Sequence, residues 1–294
     1  MNAIQFTQTL VNGLMLGGTF ALIGLGFSIV WGIMNVVNIA HGEFIMLGAY
    51  ATYFLYTIFG IDPFLTIPLS MLILFAFGYA IERGIIHWVI RAPLLVKFLL
   101  TFGLGILLEN LGTIFFTGDF RSVTAPYSGS GFEFGGVRVA YVRLAALLIS
   151  IVLVYAFHLF LTRTRTGNAI RAVGMDIDAA RLTGVKIAPT YALTYGLSVA
   201  LAGAAGSLIS MTFPITPNIG GGYTVYAFLI CILGGLGSVQ GALLGGIVLA
   251  LVQVFSGFFF PNFKDAISFI LLVLVLVIRP EGLIGKAFYS GSQE

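Results

Sequence analysis

Two stretches of this chain contain no Asp, Glu, Lys or Arg: Met1 to Gly42, and Ile187 to Phe263, a run of 77 residues. About 20 apolar residues suffice to cross a bilayer core, so an uncharged run of that length is several spans in succession and not one buried helix. The composition agrees. Of 294 residues, 59% are hydrophobic and 9% are charged, against about 25% charged in soluble domains, which excludes an ordinary cytosolic enzyme. The apolar stretches are continuous and do not alternate over ten residues, which argues against a membrane β-barrel. The expectation is an all-α, polytopic membrane protein with eight or nine transmembrane helices plus broken segments, forming one transmembrane domain over residues 1–294.

Spans are expected at about Leu10–Ile33, Phe44–Phe59, Phe64–Ile86, Phe98–Phe116, Leu144–Leu161, Thr190–Met211, Tyr223–Leu233, Ala242–Phe259 and Ile267–Ile278. The count is ambiguous at two places, the polar interruption Asn35–Glu43 and the break Gly234-Gly-Leu-Gly-Ser238. The 38 glycines suit helices that pack through small side chains. Cys231 is the single cysteine, so there is no disulfide framework and no Cys-based metal site. The net charge of +3 reads as loop bias and not as a nucleic-acid footprint. The N-terminus lacks the basic region of a cleavable signal peptide.

The loop at residues 162–188 carries five of the fourteen Lys and Arg residues, which places it in the cytoplasm by the positive-inside rule. Counting crossings outward puts the C-terminal tail with Arg279 and Lys286 on the same side, and the 117–143 loop outside. Gly135–Tyr141 in that outer loop alternates as a hairpin strand would. Val89-Ile-Arg91 before Pro93 and Val277-Ile-Arg279 before Pro280 form a weak echo, either of an internal repeat or of interfacial arginines followed by helix breakers.

The basic loop carries the clearest local signals. Asp176 suits an N-cap, Asp178 and Arg181 suit the two ends of a helix dipole, and Gly184 suits the residue that stops the helix. The pattern predicts a helix of about seven residues after Asp176 and a second short helix before Gly174. Helices this short are marginal alone in water, so they need a surface. Ile170, Val173, Ile177 and Leu182 supply part of an apolar face, either for a separate protein or for the chain's own bundle. Gly167 and Arg171 belong to the same segment.

Polar groups at membrane depth are costly and line a pathway or pair with each other. They occur here as Asn35, Asn38, His41 and Glu43 beyond the first span, and as Glu109 and Asn110 within the fourth. Glu43 also fits a helix-start acid, and Glu109 an interhelical packing contact. Glu82-Arg83 reads as an interfacial pair. The Gly-rich stretch Gly234–Gly246 lacks the Lys-Ser/Thr of a phosphate-binding P-loop, and that motif is absent throughout. His41, His87 and His158 lie far apart in sequence, and no enzyme constellation is present.

Several blocks of residues, in order, carry a family pattern. Asn12–Gly26, continuing through Asn38-Ile-Ala-His-Gly-Glu43 to Gly48, resembles the N-terminal signature of branched-chain amino acid ABC transporter permeases, most closely the H-type (LivH family) subunit. The Arg165–Val185 loop is similar to that family's cytoplasmic coupling segment. Gly234–Ser238 through Gly245-Gly246, then Lys264-Asp265 and Pro280-Glu-Gly282, match its C-terminal pattern, while Asp119–Arg143 matches least. The resemblance implies the fold of a type II ABC importer permease in a bacterial inner membrane. It also implies a second homologous permease, two cytoplasmic ATPase subunits, a periplasmic amino-acid-binding protein and surrounding lipid as partners, with no nucleic acid. ATP and Mg would be bound by the ATPases and none by this chain. Gly167, Ile170, Arg171, Val173, Asp176, Asp178, Arg181 and Gly184 would dock on an ATPase. A zwitterionic substrate could be met by helix ends and the Asn35 and Asn38 amides, and related permeases are associated with urea, short amides and aromatic acids. An ion-coupled secondary transporter or a channel is the competing class, with His41, Glu43 and Glu109 as its only candidate ion sites.

Overall fold

Helix boundaries follow from local chemistry. In the computed structural model, which describes residues 2–284, Asn2 and Gln5 form a capping box that starts α1 (Ala3–Met34), well before Leu10. At 32 residues this helix is about 48 Å long at 1.5 Å per residue, longer than a bilayer core of about 30 Å. It stops at Asn35, which adopts a left-handed φ of 50°. Residues 35–40 then turn back into the bundle to reach α2 (His41–Phe59). Asp62 caps α3 (Pro63–Val89) by accepting from the Phe64 N–H, with Pro63 in the first turn. The phenol of Tyr127, in the loop at residues 117–130, bonds the other Asp62 oxygen at 2.9 Å. Burial and that carboxylate hold the phenol well above its usual pKa.

The chain continues through α4 (Leu94–Phe116), a hairpin of β1 (Gly131–Phe134) and β2 (Val137–Ala140), and α5 (Tyr141–Arg163). Two short helices come next, α6 (Arg165–Met175) and α7 (Ile177–Leu182). Then come α8 (Ile187–Ser210), α9 (Ile219–Gly234), α10 (Val239–Phe259) and α11 (Lys264–Ile278). Among the described residues, seven helices are long and apolar enough to cross a membrane: α1, α3, α4, α5, α8, α10, and α11 with its preceding turn. The two other apolar helices, α2 and α9, are the broken segments that made the sequence count ambiguous.

The hairpin defines one end of the bundle. Gly135 and Gly136 both have positive φ, as a two-residue turn of the primed type requires, and Phe134 pairs with Val137. The Gln8 side chain of α1 grips β2 through both the N–H and the C=O of Arg138. The basic loop defines the opposite end. Arg279 lies near that end, since the backbone of Leu283 bonds Leu233; Lys286 lies outside the described residues.

α1 and α8 form the centre. In their most apolar windows 89% of residues are buried within the chain, against 28% for α4 and α5, which present apolar faces outward. Close approach needs small residues. Gly13 and Gly17 of α1 sit against Leu251 and Ile247 of α10, and a Cβ at Gly246 would fall on the Ala21 backbone. Gly246→Val is therefore expected to lower the thermal midpoint of the purified protein by several degrees, since overpacking costs about 1–3 kcal/mol. Gly257→Val, where a Cβ meets open space on the same helix, should leave the midpoint unchanged.

Candidate functional site

Residues 35–40 run from the basic end back to about mid-depth. Their depth is fixed by His41 at the start of α2, whose Nε2 lies 3.1 Å from the carbonyl of Ile23, eleven residues before the end of α1 and so about 16 Å along it. From the hairpin end, residues 211–218 descend in the same way to α9 after pairing Ile215 with Arg121 in both directions. The N-termini of α2 and α9 thus meet inside the bundle. Their contact is backbone on backbone: a Cβ at Gly42 would fall on the Gly220 carbonyl, and one at Gly220 on the Glu43 carboxylate.

Non-helical backbone at this depth must find protein partners for its polar groups, because lipid offers none. Several of the nearby donors and acceptors are met by side chains. Thr224 of α9 accepts from the Gly42 N–H at 2.8 Å and donates to the Ile39 carbonyl at 3.0 Å. Thr101 of α4 donates to Val37 and accepts from the Ile39 N–H. The largely buried Lys97 donates to the Asn35 carbonyl at 3.2 Å, at the end of α1.

The pathway residues expected from sequence separate into two groups. Glu43 and Glu109 share one level of the bundle, and Glu43 is 4% exposed with no partner at Oε2. Glu109 lies on the α4 face where Gly105 packs on Ala40 and Gly112 on Met46 and Pro217, levels that bracket Glu43. The others lie apart. Asn35 is exposed at the basic end, and Asn38 is enclosed facing the Tyr195 phenol. His41 is enclosed against Ile23 and the Phe27 ring, and Asn110 points outward, bonding its own helix at Ile106.

Sequence reasoning missed Thr101, Thr224 and Glu82. A threonine inside an apolar span ordinarily bonds its own helix, as Thr194 does to Thr190 here, so nothing in the sequence marks Thr101 and Thr224 as bonding another segment. Glu82 corrects the expected interfacial pair. Glu82 continues the inward stripe of Leu74 and Gly78 at i, i+4 and i+8 and is fully buried, 3.9 Å from His87, while Arg83 is exposed over the Tyr79 ring and a π-helical turn runs from Glu82 to Ile86. Such turns insert one residue and rotate the two flanking helical segments relative to each other.

The basic loop folds as two helices with a division of labour. α6 runs through Gly174 without a break, because the missing side chain lets the helix pass over Ile33 of α1. This is a correction: the predicted stop at Gly174 falls instead at Asp176. Ile170 and Val173 are buried against the chain's own bundle, and Gly167 sits on Phe160 and Leu161. Asp176 caps α7 by accepting from the N–H groups of Asp178 and Ala179, and Gly184 at φ 86° lies just past its end. Asp178 and Arg181 pair at 3.5 Å and, with Arg171, are exposed. Met175, Ile177 and Leu182 are also exposed, the last at 90%.

A membrane bundle whose broken helices meet polar groups at mid-depth is a membrane transport protein, the architecture in which solute sites form at discontinuous helices. The chain belongs to the family described as the permease component of branched-chain amino acid transport systems, whose model matches residues 9–276. It is 34% identical to the high-affinity branched-chain amino acid permease BraD of Pseudomonas aeruginosa, over 96% of both chains. It is 31% identical to LivH of Escherichia coli, again over 96% of both. It is also 25% identical to the permease LivM of Salmonella typhimurium, over 90% of this chain and 67% of that one. No solved structure matches it.

The junction makes a specific demand on Thr224. Thr224→Val removes the partners of two buried backbone groups and is expected to destabilise the protein by about 2–6 kcal/mol, at about 1–3 kcal/mol per orphaned group. Thr224→Ser should recover most of that loss, as read by thermal unfolding in detergent.

Proposed function

We propose that this chain is the transmembrane permease of a binding-protein-dependent ABC importer for leucine, isoleucine and valine. The observation that carries the reading is identity to BraD and LivH along the whole chain, including both broken segments. In this reading residues 1–294 form one nine-pass domain of the type II importer kind, the two half-helix segments supplying the eighth and ninth crossings, in a bacterial inner membrane. The basic loop at 162–188 and the C-terminus face the cytoplasm, and the 117–143 hairpin loop faces the periplasmic amino-acid-binding protein. The chain pairs with a second homologous permease, a reading supported by its similarity to LivM.

ATP and Mg are bound by two cytoplasmic ATPase subunits and not by this chain. The two loop helices suit that arrangement mechanically. Ile170 and Val173 anchor α6 to α1, α5 and α8, while Met175, Ile177 and Leu182 face outward with the exposed charges Arg171, Asp178 and Arg181. An apolar set ringed by charge is what a docking helix offers to a cleft. Closure of the ATPases would pull on α6 and switch the mid-depth junction between outward and inward access.

The test is ATP hydrolysis by the complex purified through this chain, with and without leucine-loaded binding protein. Stimulation by the loaded protein supports both coupling and substrate. A co-purifying ATPase indifferent to branched-chain amino acids redirects the substrate to urea, amides or aromatic acids, and no ATPase at all favours an ion-coupled carrier. Leu182→Glu is expected to cut the stimulated activity by at least about tenfold, the effect of losing one apolar anchor worth about 1.4 kcal/mol or more, while the protein still inserts and keeps its thermal midpoint. Native-like stimulation in that variant would remove α7 from the docking surface.

A further inference from the structure

Two carboxylates, Glu43 and Glu109, lie at the same level of the bundle at membrane depth, and neither is ion-paired to a basic group. Among the described residues the ion pairs are Glu82–His87 and Asp178–Arg181, and neither Glu43 nor Glu109 has a basic partner. Glu43 is 96% enclosed, with one oxygen unpartnered, and its carboxylate lies on the Cα of Gly220 in the first turn of α9. An unpaired buried carboxylate is costly, and a second one close by adds repulsion. A group that carries positive charge into this place is therefore bound more favourably than one that does not.

The other half of the place has the opposite sign. The first turn of α9 has free backbone N–H groups and the positive end of a 16-residue helix dipole. Gly221 and Gly222 come next, both exposed, with open space where their side chains would be, so an oxyanion can approach the bare backbone. Positive and negative binding halves thus stand side by side, within two residues of each other along α9.

We infer that Glu43 and Glu109 receive the ammonium group of an α-amino acid while the N-terminal turn of α9 at Gly220–Gly222 receives its carboxylate. The site reads the zwitterionic head that all α-amino acids share and leaves the aliphatic chain to other parts of the system. The assignment rests on the permease reading above and adds to it a substrate position in this chain. It moves recognition away from Asn35 and Asn38, which the fold places elsewhere.

The test uses the complete importer in proteoliposomes with radiolabelled leucine and the loaded binding protein. Glu43→Gln and Glu109→Gln keep volume and remove charge. Each is expected to lower leucine uptake by at least about tenfold, as for losing a hydrogen bond to a charged group. Each variant should still co-purify with the ATPases as an assembled complex, and Glu109→Asp should restore a measurable part of the uptake. Native uptake in either Gln variant overturns the inference. So does a parallel fall of uptake, ATP hydrolysis and midpoint, which would make the carboxylates packing groups. Uptake that requires a sodium or proton gradient also overturns it, since the pair would then hold a coupling cation. If the native complex hydrolyses ATP but moves no leucine, the substrate reading fails first, and that result is distinguishable because it appears without any substitution.

Discussion

Everything in the middle of this protein depends on holding two helix N-termini together where there is no water. Each end carries roughly half a positive charge, and the ends of α2 and α9 meet at Gly42 and Gly220 with no side chain between them. Like ends repel, and the repulsion is not screened at this depth. The Glu43 carboxylate lies against the Gly220 side of the contact. Thr224 of α9 bonds across the same contact to Ile39 and Gly42. The rigid pair α1 and α8 then serves as the frame, with His41 of α2 bonded to Ile23 of α1 and Ser198 of α8 bonded to Gly26 of α1.

Glycine abundance takes its meaning from this arrangement. Where α10 crosses α1, glycines let apolar helices approach until Gly246 meets the Ala21 backbone, whereas a Cβ at Gly13 would first meet the end of the Leu251 side chain. At Gly42 and Gly220 no side chain of any size fits, because the neighbour is a carbonyl or a carboxylate. The two uses look identical in sequence, and only the fold separates them.

The sequence disclosed the membrane class, the nine apolar segments and the caps of the short loop helix, because those depend on hydrophobic runs and on neighbours a few residues apart. Asp176 is the clearest case: its role needs only the N–H groups of Asp178 and Ala179. What stayed hidden depends on residues far apart in the chain. Thr224 serves Ile39 and Gly42, more than 180 residues away, and Thr101 serves Val37 and Ile39. Glu82 was read as interfacial because it stands beside Arg83 near a helix end, although it falls on the same helical stripe as the buried Leu74 and Gly78. The candidate site was half legible. Glu43 and Glu109 stood out as acids in apolar surroundings, but so did Asn35, Asn38, His41 and Asn110, and hydropathy alone does not say which of them share a place.

The same frame connects the two functional regions that the sequence presents as unrelated. α6 presses Ile170 and Val173 into the core cluster that includes α1 and α8, and α1 carries the carbonyl that receives His41 at the head of α2. A displacement of α6 is therefore passed through packed helices to the point where α2 and α9 meet, with no flexible linker in between. Packed cores respond to such a push by switching between discrete arrangements and not by bending continuously. The junction is suited to that role, because the bonds from α9 to the Ile39 carbonyl and the Gly42 N–H run through the single hydroxyl of Thr224. In the proposed cycle that hydroxyl is the hinge pin, and the Glu43–Glu109 pair is uncovered on one side or the other as the two half-helices turn about it.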